Sequence, residues 1–316
     1  MGRRPPLHGV LVIDKPSGMT SATVVGELRS RIGVDAAGHT GTLDPLATGV
    51  LPVCLGAATK LAQWLLVDDK AYEAVVRLGV ETDTFDRDGQ VTGGDPARAA
   101  AVTRAEIEAV LAGLTGAYEQ VPPIYSAIQQ GGRRLHELAR AGEAAELAPR
   151  PVRVDELTLQ ACAPPVVAFA VRCSKGTYVR SLVRDLGQRL GCGAVLDELR
   201  RTASGAFTLA DAIGLAFLDR DTASRHLIDP ARALGLPTVT VAAADERDVL
   251  DGRALDLGRF TPPDLPVGAR FTMVTEAGAV LALAVRHAER IELVRVLTYG
   301  VAAPPVAGKL RPRTSG

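Results

Sequence analysis

Asp44 stands in the stretch Gly38-His39-Thr40-Gly41-Thr42-Leu43-Asp44-Pro45-Leu46-Ala47-Thr48-Gly49. Proline disfavours helix for the residue before it, so Asp44 is expected in an extended or turn conformation. Gly38, Gly41 and Gly49 let backbone run close to a bound molecule. A carboxylate on such a platform suits nucleophilic attack or proton transfer. An Asp-Pro pair by itself is ordinarily only a turn, so the neighbouring motifs carry the weight. Two stand out. Asp69-Lys70-Ala71-Tyr72 puts an aromatic ring at the start of a strand, and Cys173-Ser174-Lys175-Gly176-Thr177-Tyr178-Val179-Arg180 reads as strand, turn and first helical turn. A helix N-terminus with Lys175 beside it and Arg180 within it is a seat for an anion, either a phosphate or the Asp44 carboxylate. Taken singly, Tyr72 reads as sheet packing, Arg180 as an exposed helix residue, His39 as a loop histidine and Leu199 as a core leucine.

The elements that must position these residues alternate between strands and helices. Gly9 to Ile13 reads as a buried strand ending in the turn Asp14-Lys15-Pro16-Ser17-Gly18. Ser21 suits the N-cap of a helix with Val24, Val25 and Leu28 on one face and Gly33 as its stop. Val50 to Leu55 predicts a strand and Thr59 to Val67 a helix carrying the only tryptophan, Trp64. Tyr72 to Val80 alternates, with Tyr72, Ala74, Val76 and Leu78 on one face. Thr82 to Gly89 looks like a calcium loop but lacks its spaced acidic ligands and distal Glu, so it reads as an acidic turn. Thr103 and Glu106 predict a capping box for a helix through Ile107, Val110 and Leu111. Ser126 to Pro151 is polar and arginine-rich, with a short helix around Leu135 and Leu138, and suggests a protruding binding flap. Val152 to Leu159 and Val166 to Cys173 predict strands, and Thr177 caps a helix through Leu182, Val183, Leu186 and Leu190 that Gly191 stops. Asp229 to Pro237 reads as a linker. Beyond it, Ala269 to Thr275, Ala279 to His287 and Glu292 to Tyr299 predict three strands, with Glu276-Ala277-Gly278 as a hairpin turn.

Composition narrows the class. The chain has 316 residues, 47% of them hydrophobic, enough for a real core and about two domains. It has no long apolar run and no signal-peptide pattern at its start, so residence in the cytoplasm is expected. Cys54, Cys162, Cys173 and Cys192 form no CxxC pair, which argues against zinc and disulfides and for buried free thiols. Net charge is zero, yet Arg172 to Arg201 holds seven basic residues against three acidic, and Arg133, Arg134, Arg140, Arg150 and Arg153 form a second basic group. Arginine is the better partner for bidentate phosphate contacts. No Rossmann or Walker glycine signature is present, so no nucleotide cofactor is implied.

Four strings, taken in order, resemble the TruB family of tRNA pseudouridine synthases: Asp14-Lys15-Pro16-x-Gly18, Gly38-His39-Thr40-Gly41-x-Leu43-Asp44-Pro45-x-Ala47-Thr48-Gly49, Ser174-Lys175-Gly176-Thr177-Tyr178-x-Arg180, and Leu199-Arg200-Arg201-Thr202. The similarity covers about residues 8 to 210. More loosely, Val121-Pro122-Pro123-Ile124-Tyr125-Ser126-Ala127 resembles the base of the family's RNA-clasping thumb. The resemblance implies an α+β fold with a mixed, largely antiparallel central sheet flanked by helices. It implies a catalytic domain over residues 1–232 with a thumb at about 124–151 and a PUA-like β domain over 236–300; composition, with Pro304, Pro305 and Pro312 beside Lys309, Arg311 and Arg313, predicts a disordered basic tail over 301–316. It implies an isomerase without cofactor or metal that converts the T-loop uridine of tRNA to pseudouridine. A monomer with tRNA as its partner, and neither a membrane nor a protein partner, is expected. Asp44 would be the catalytic carboxylate, Tyr72 would stack on the flipped uracil and Arg180 would pair with Asp44. His39 would hold displaced T-loop bases, Tyr178 and Leu199 would line the pocket, and Lys15 and Lys175 would bind substrate. The contrasting readings are a tRNA-binding chaperone module and the same isomerisation on another RNA. A separable C-terminal domain implies that deletion from Ala242 onward weakens RNA binding and spares catalysis.

Overall fold

The computed structural model describes residues 6–66, 69–124, 147–260 and 264–297, with backbone alone at 129–130 and 133–134. The fold is α+β: ten strands form one large mixed sheet, a second sheet has four strands, and helices flank them. The described residues fall into two units, one drawn from residues 1–45, 49–67 and 204–316 and the other from 46–48 and 68–203.

In the first unit the opening apolar run is strand β1, Gly9–Lys15. Helix α1, Ser21–Ile32, follows, then the short strand β2, Ala37–His39, and strand β3, Thr48–Leu55. β1 lies antiparallel to β3 from Gly9 opposite Leu55 to Lys15 opposite Gly49, and β2 pairs with the far end of β3. Gly33 ends α1 in the left-handed conformation, as its sequence predicts. The start differs from expectation. Thr20 is the N-cap, its hydroxyl accepting from the Thr23 N–H, while Ser21 is buried inside the helix. The expected helix at Thr59 is a 3-10 turn over Gly56–Leu61 leading into a single α-turn, Ala62–Leu65. Gly56 has φ +56°, and the next N–H, of Ala57, bonds to His8 Nδ1, so the chain enters tightly wound.

The second unit opens with strand β4, Lys70–Leu78, whose Tyr72, Ala74, Val76 and Leu78 are all buried on the face that alternation predicts. Helix α2, Arg104–Ala112, begins with the predicted capping box of Thr103 and Glu106. Strands β5 (Gly116–Gln120), β6 (Arg150–Ala163) and β7 (Val166–Cys173) precede helix α3, Val179–Leu190, and strand β8, Ala194–Ser204. Their order is β8, β4, β7, β6, β5. β5 and β6 are antiparallel, with Gln120 opposite Arg150. Gly191 closes α3 as expected, but Thr177 is not its cap: Tyr178 occupies that position and makes no side-chain capping bond. Most of the segment expected to form a thumb, with the helix expected around Leu135 and Leu138, lies outside the described residues, as does the tail from Val301. Three cysteines are buried free thiols and Cys162 is half-buried; burial pushes Cys54 up to about 12 and Cys173 to about 11.

The chain then returns to the first unit. Strand β9, Ala212–Gly214, runs parallel to β1. The expected linker is instead helix α4, Pro230–Leu234, capped by Asp229, whose Oδ1 accepts from the Ala231 and Arg232 N–H groups, and closed by left-handed Gly235. Proline at the first helical position and glycine past the end are the standard signals for such a helix. The C-terminal sheet has four strands, not three: β10 (Thr238–Val241) runs parallel to β11 (Arg270–Thr275), which continues antiparallel into β12 (Val280–Arg286) and β13 (Ile291–Val296). Gly278, at φ +85°, makes the predicted hairpin turn.

Two hydrophobic clusters lie in this unit; Val241, Val249, Phe260, Phe271 and Met273 form one within the C-terminal segment, and the other is shared with the opening strands. Val274, Val280, Leu283 and Leu297 pack in the same cluster as Val10, Val12, Val50 and Leu61, with Ala231, Ala233 and Leu234 of α4. The C-terminal strands therefore cover part of the core that β1 and β3 need. Emptying one large core site costs about 2–5 kcal/mol, against a whole-domain stability of about 5–15 kcal/mol. Deletion from Ala242 onward is thus expected to unfold the chain or lower its melting temperature by tens of degrees in calorimetry; a truncated chain melting within a few degrees of full length would contradict the shared core.

Candidate active site

The Asp44 loop is fixed from below. Lys15 ends β1 with 0% of its surface exposed, and its ammonium donates to the carbonyls of Pro16 (2.9 Å), Met19 (2.6 Å) and Pro45 (3.1 Å). The Gly18 N–H donates to the same Pro45 carbonyl at 2.8 Å. Ser21 bonds Leu43 in both directions: the Leu43 N–H donates to Ser21 Oγ (2.9 Å), and the hydroxyl donates to the Leu43 carbonyl (3.2 Å). The residues on both sides of Asp44 are thereby tied to β1, its turn and α1. Leu43 and Leu46 are buried, while Asp44 is half-buried, with its loop turning at Gly41 (φ +106°) and Gly49 (φ +98°). A buried ammonium whose hydrogens are directed at backbone carbonyls positions the loop. His39 sits half-buried at the end of β2, opposite Val53, next to Thr40, whose N–H bonds to Pro52.

Tyr72, Tyr178, Arg180, Leu199 and Lys175 belong to the second unit. Tyr72 pairs with Val171 of β7 and is 9% exposed. Its phenol is hydrogen-bonded by Arg201 of the adjacent strand β8, the largest fully buried side chain among the described residues. Burial pulls the Arg201 guanidinium's pKa down while Tyr72 favours its charge; arginine remains a cation even so. Arg201 lies in the Leu199-Arg200-Arg201-Thr202 string, yet nothing in its spacing marks it as a partner of Tyr72. Leu199 is buried on β8, and its carbonyl accepts from Thr48 Oγ1 at 3.4 Å. Lys175 is exposed in the turn before α3, open to an anion.

Arg180 is 4% exposed, not the surface residue that its helical position alone suggests. It donates to the Thr84 carbonyl at 3.1 Å and lies 3.7 Å from the buried carboxylate of Asp86. The acidic turn is therefore a built element. Asp86 accepts from Thr84 Oγ1 (2.6 Å) and the Asp88 N–H (3.1 Å), and its carbonyl accepts from Thr82 Oγ1 (2.7 Å). Phe85, just before it, is the one non-glycine at positive φ among the described residues (62°), with the Arg184 guanidinium 5.1 Å from its ring centre. Strain of this kind persists only where surroundings over-determine the backbone. Sequence reading missed Asp86, because an Asp in a polar turn carries no mark of burial. Among the described residues no group of three or more His, Cys, Asp or Glu is arranged to hold a metal ion.

Removing one partner of a buried ion pair costs about 3–5 kcal/mol. Asp86→Ala also strips acceptors from Thr84 and Asp88, so a loss in that range is expected by urea unfolding. A loss below about 1 kcal/mol would mean that the pair behaves as a solvated one.

Comparison with known proteins agrees with this architecture. Residues 29–179 match the TruB family pseudouridylate synthase N-terminal domain, and residues 180–234 match the tRNA pseudouridylate synthase B C-terminal domain. A protein of Stutzerimonas stutzeri named tRNA pseudouridine synthase B is 50% identical over 217 residues, 69% of this chain and 70% of its own. One of the same name from Burkholderia lata is 45% identical over 282 residues, 88% of this chain and 86% of its own. Among solved structures, an H/ACA RNP bound to a substrate RNA containing 2'-deoxyuridine aligns with a TM-score of 0.69 at 25% identity, covering 92% of this chain and 85% of that one. A Cbf5-Nop10-Gar1 complex aligns with a TM-score of 0.69 at 26% identity, covering 92% and 84%. The chain belongs to the TruB family of pseudouridylate synthases.

Proposed function

We propose that this enzyme converts the T-loop uridine of tRNA, position fifty-five by tRNA convention, into pseudouridine. The bond from ribose C1' to uracil N1 breaks, the base turns in the pocket, and C1' bonds to C5; the C5 proton leaves and N1 gains one, so no oxidant or cofactor is required. The observation that carries this reading is the Asp44 carboxylate, half-buried on a loop that Lys15 and Ser21 lock in place, in a chain 45% identical over most of its length to a tRNA pseudouridine synthase B. Asp44 is the catalytic carboxylate and Arg180 its counter-ion.

The target uridine is stacked inside folded tRNA and must be flipped out. Tyr72, held by Arg201, stacks on the extruded uracil; base–aromatic stacking contributes about 1–3 kcal/mol. His39 receives displaced T-loop bases, and Tyr178 and Leu199 line the pocket. Lys175 and the arginines of residues 124–151 grip phosphates, so affinity falls with salt. Residues 1–232 carry the chemistry and the β strands of 236–300 add a PUA-like RNA surface, with the basic segment 301–316 beyond. The enzyme acts as a monomer in the cytoplasm. No described helix is long and apolar enough to cross a membrane.

Tritium release from tRNA labelled at uridine C5 tests the proposal. Wild type should release tritium, and Asp44→Ala should abolish release while tRNA binding persists. Binding without release by the wild type would favour a tRNA chaperone. Release from another RNA but not from a T-stem-loop would move the same chemistry to a different substrate.

A further inference from the structure

Gln120, the last residue of β5, is 1% exposed, and its carboxamide is committed to the start of α3. The Tyr178 N–H donates to Gln120 Oε1 at 2.8 Å, and Gln120 Nε2 donates to the Tyr178 carbonyl at 3.2 Å. The second Nε2 hydrogen reaches the Tyr118 hydroxyl at 2.7 Å. A side-chain amide that pairs with both the N–H and the C=O of one residue does what a neighbouring strand would do. It holds that residue extended, and Tyr178 has φ −99° and ψ 112°. The following residue of the strand end joins in: the Val121 carbonyl accepts from Ser181 Oγ (2.8 Å) and from Arg184 (3.2 Å). Helix α3 therefore cannot begin a turn earlier or slide along its axis without breaking a buried amide pair. Tyr178 and Arg180 are the residues whose placement this fixes.

We propose that Gln120 is a positioning residue of the isomerase, acting through the Tyr178 backbone to aim Tyr178 and Arg180 at the substrate. The inference rests on the function proposed above. Burial is the first cause that raises the Tyr118 phenol to about 12, so the hydroxyl beside Gln120 stays neutral and does not compete for the amide as an anion. Because Val121 begins the excursion to the thumb, the same clamp joins the base of that segment to the helix bearing Arg180.

The test uses Gln120→Glu and Gln120→Leu in the full chain, with tritium release giving kcat and KM and calorimetry confirming folding. Glutamate keeps the acceptor for the Tyr178 N–H but, when ionised, has no hydrogen for its carbonyl. Burial favours the neutral acid, and a protonated carboxyl restores one donor. Asp185, Arg184 and Arg189 on α3 and Tyr118 on β5 act on this locality in wild type and variant alike. The informative quantity is therefore the variant-to-wild-type ratio of kcat at each pH. Misplacement near a reacting centre by about an ångström can cost on the order of 100-fold. Gln120→Leu should lower kcat by about 10–100-fold with KM within about threefold. The Gln120→Glu ratio should rise as pH falls, and the Gln120→Leu ratio should stay flat. Folded variants with wild-type kcat, a loss confined to KM, or a flat ratio for Gln120→Glu would overturn the proposal. If Gln120→Leu does not fold, the Gln120→Glu ratio alone decides. A wild type that releases no tritium removes the function and this inference together; an active wild type with indifferent Gln120 variants removes only this inference.

Discussion

A single buried ammonium governs the Asp44 loop. Lys15 is carried into the interior by β1, a strand so apolar that it has no choice of face, and its charge must then be solvated by the protein. Leaving a buried charge without hydrogen-bond partners is among the largest penalties available to a fold. The carbonyls of Pro16, Met19 and Pro45 meet that demand, so the turn after β1 and the loop after β2 are drawn to the same point. Asp44 precedes one of those carbonyls. Its position follows from the packing of a strand rather than from its own contacts alone.

The same logic recurs in the second unit. Arg180, Arg201 and Gln120 are buried polar side chains, each tied to a residue distant in sequence: Asp86, Tyr72 and Tyr178. Satisfied networks of this kind specify one geometry, and half-satisfied ones are costly. The exposed Lys175 and the half-buried Tyr178 belong to the same unit. A polar group held rigidly from behind is pre-organised for its partner and needs little rearrangement when substrate arrives.

Local chemistry was legible in the sequence where one stretch contained the whole interaction. The alternation of β4, the Thr103–Glu106 capping box and the glycine stops at Gly33 and Gly191 all involve neighbours along the chain. α4 carried the same kind of signal, an Asp-Pro start and a Gly end, but its few residues resembled a linker in composition. The site was legible as a set of motifs, not as a network. Periodicity tells which face a residue occupies and says nothing about which distant residue it meets, so Ser21 with Leu43, Arg180 with Asp86 and Gln120 with Tyr178 could not be read. The shared core was hidden for a related reason: Val274 and Val10 are each ordinary strand residues, and only the assembled unit reveals that they pack together.

The pairing of Gln120 with Arg150 at the rim of the sheet has an evolutionary consequence. Everything between those residues leaves and re-enters at one rung of a ladder. The gap that an intervening segment must bridge is thus set by the sheet and is the same whatever that segment contains. Closing a loop costs only about 0.6 kcal/mol more for each doubling of its length. Descendants of this scaffold can therefore change the length of the segment beyond Val121 at little cost to the sheet.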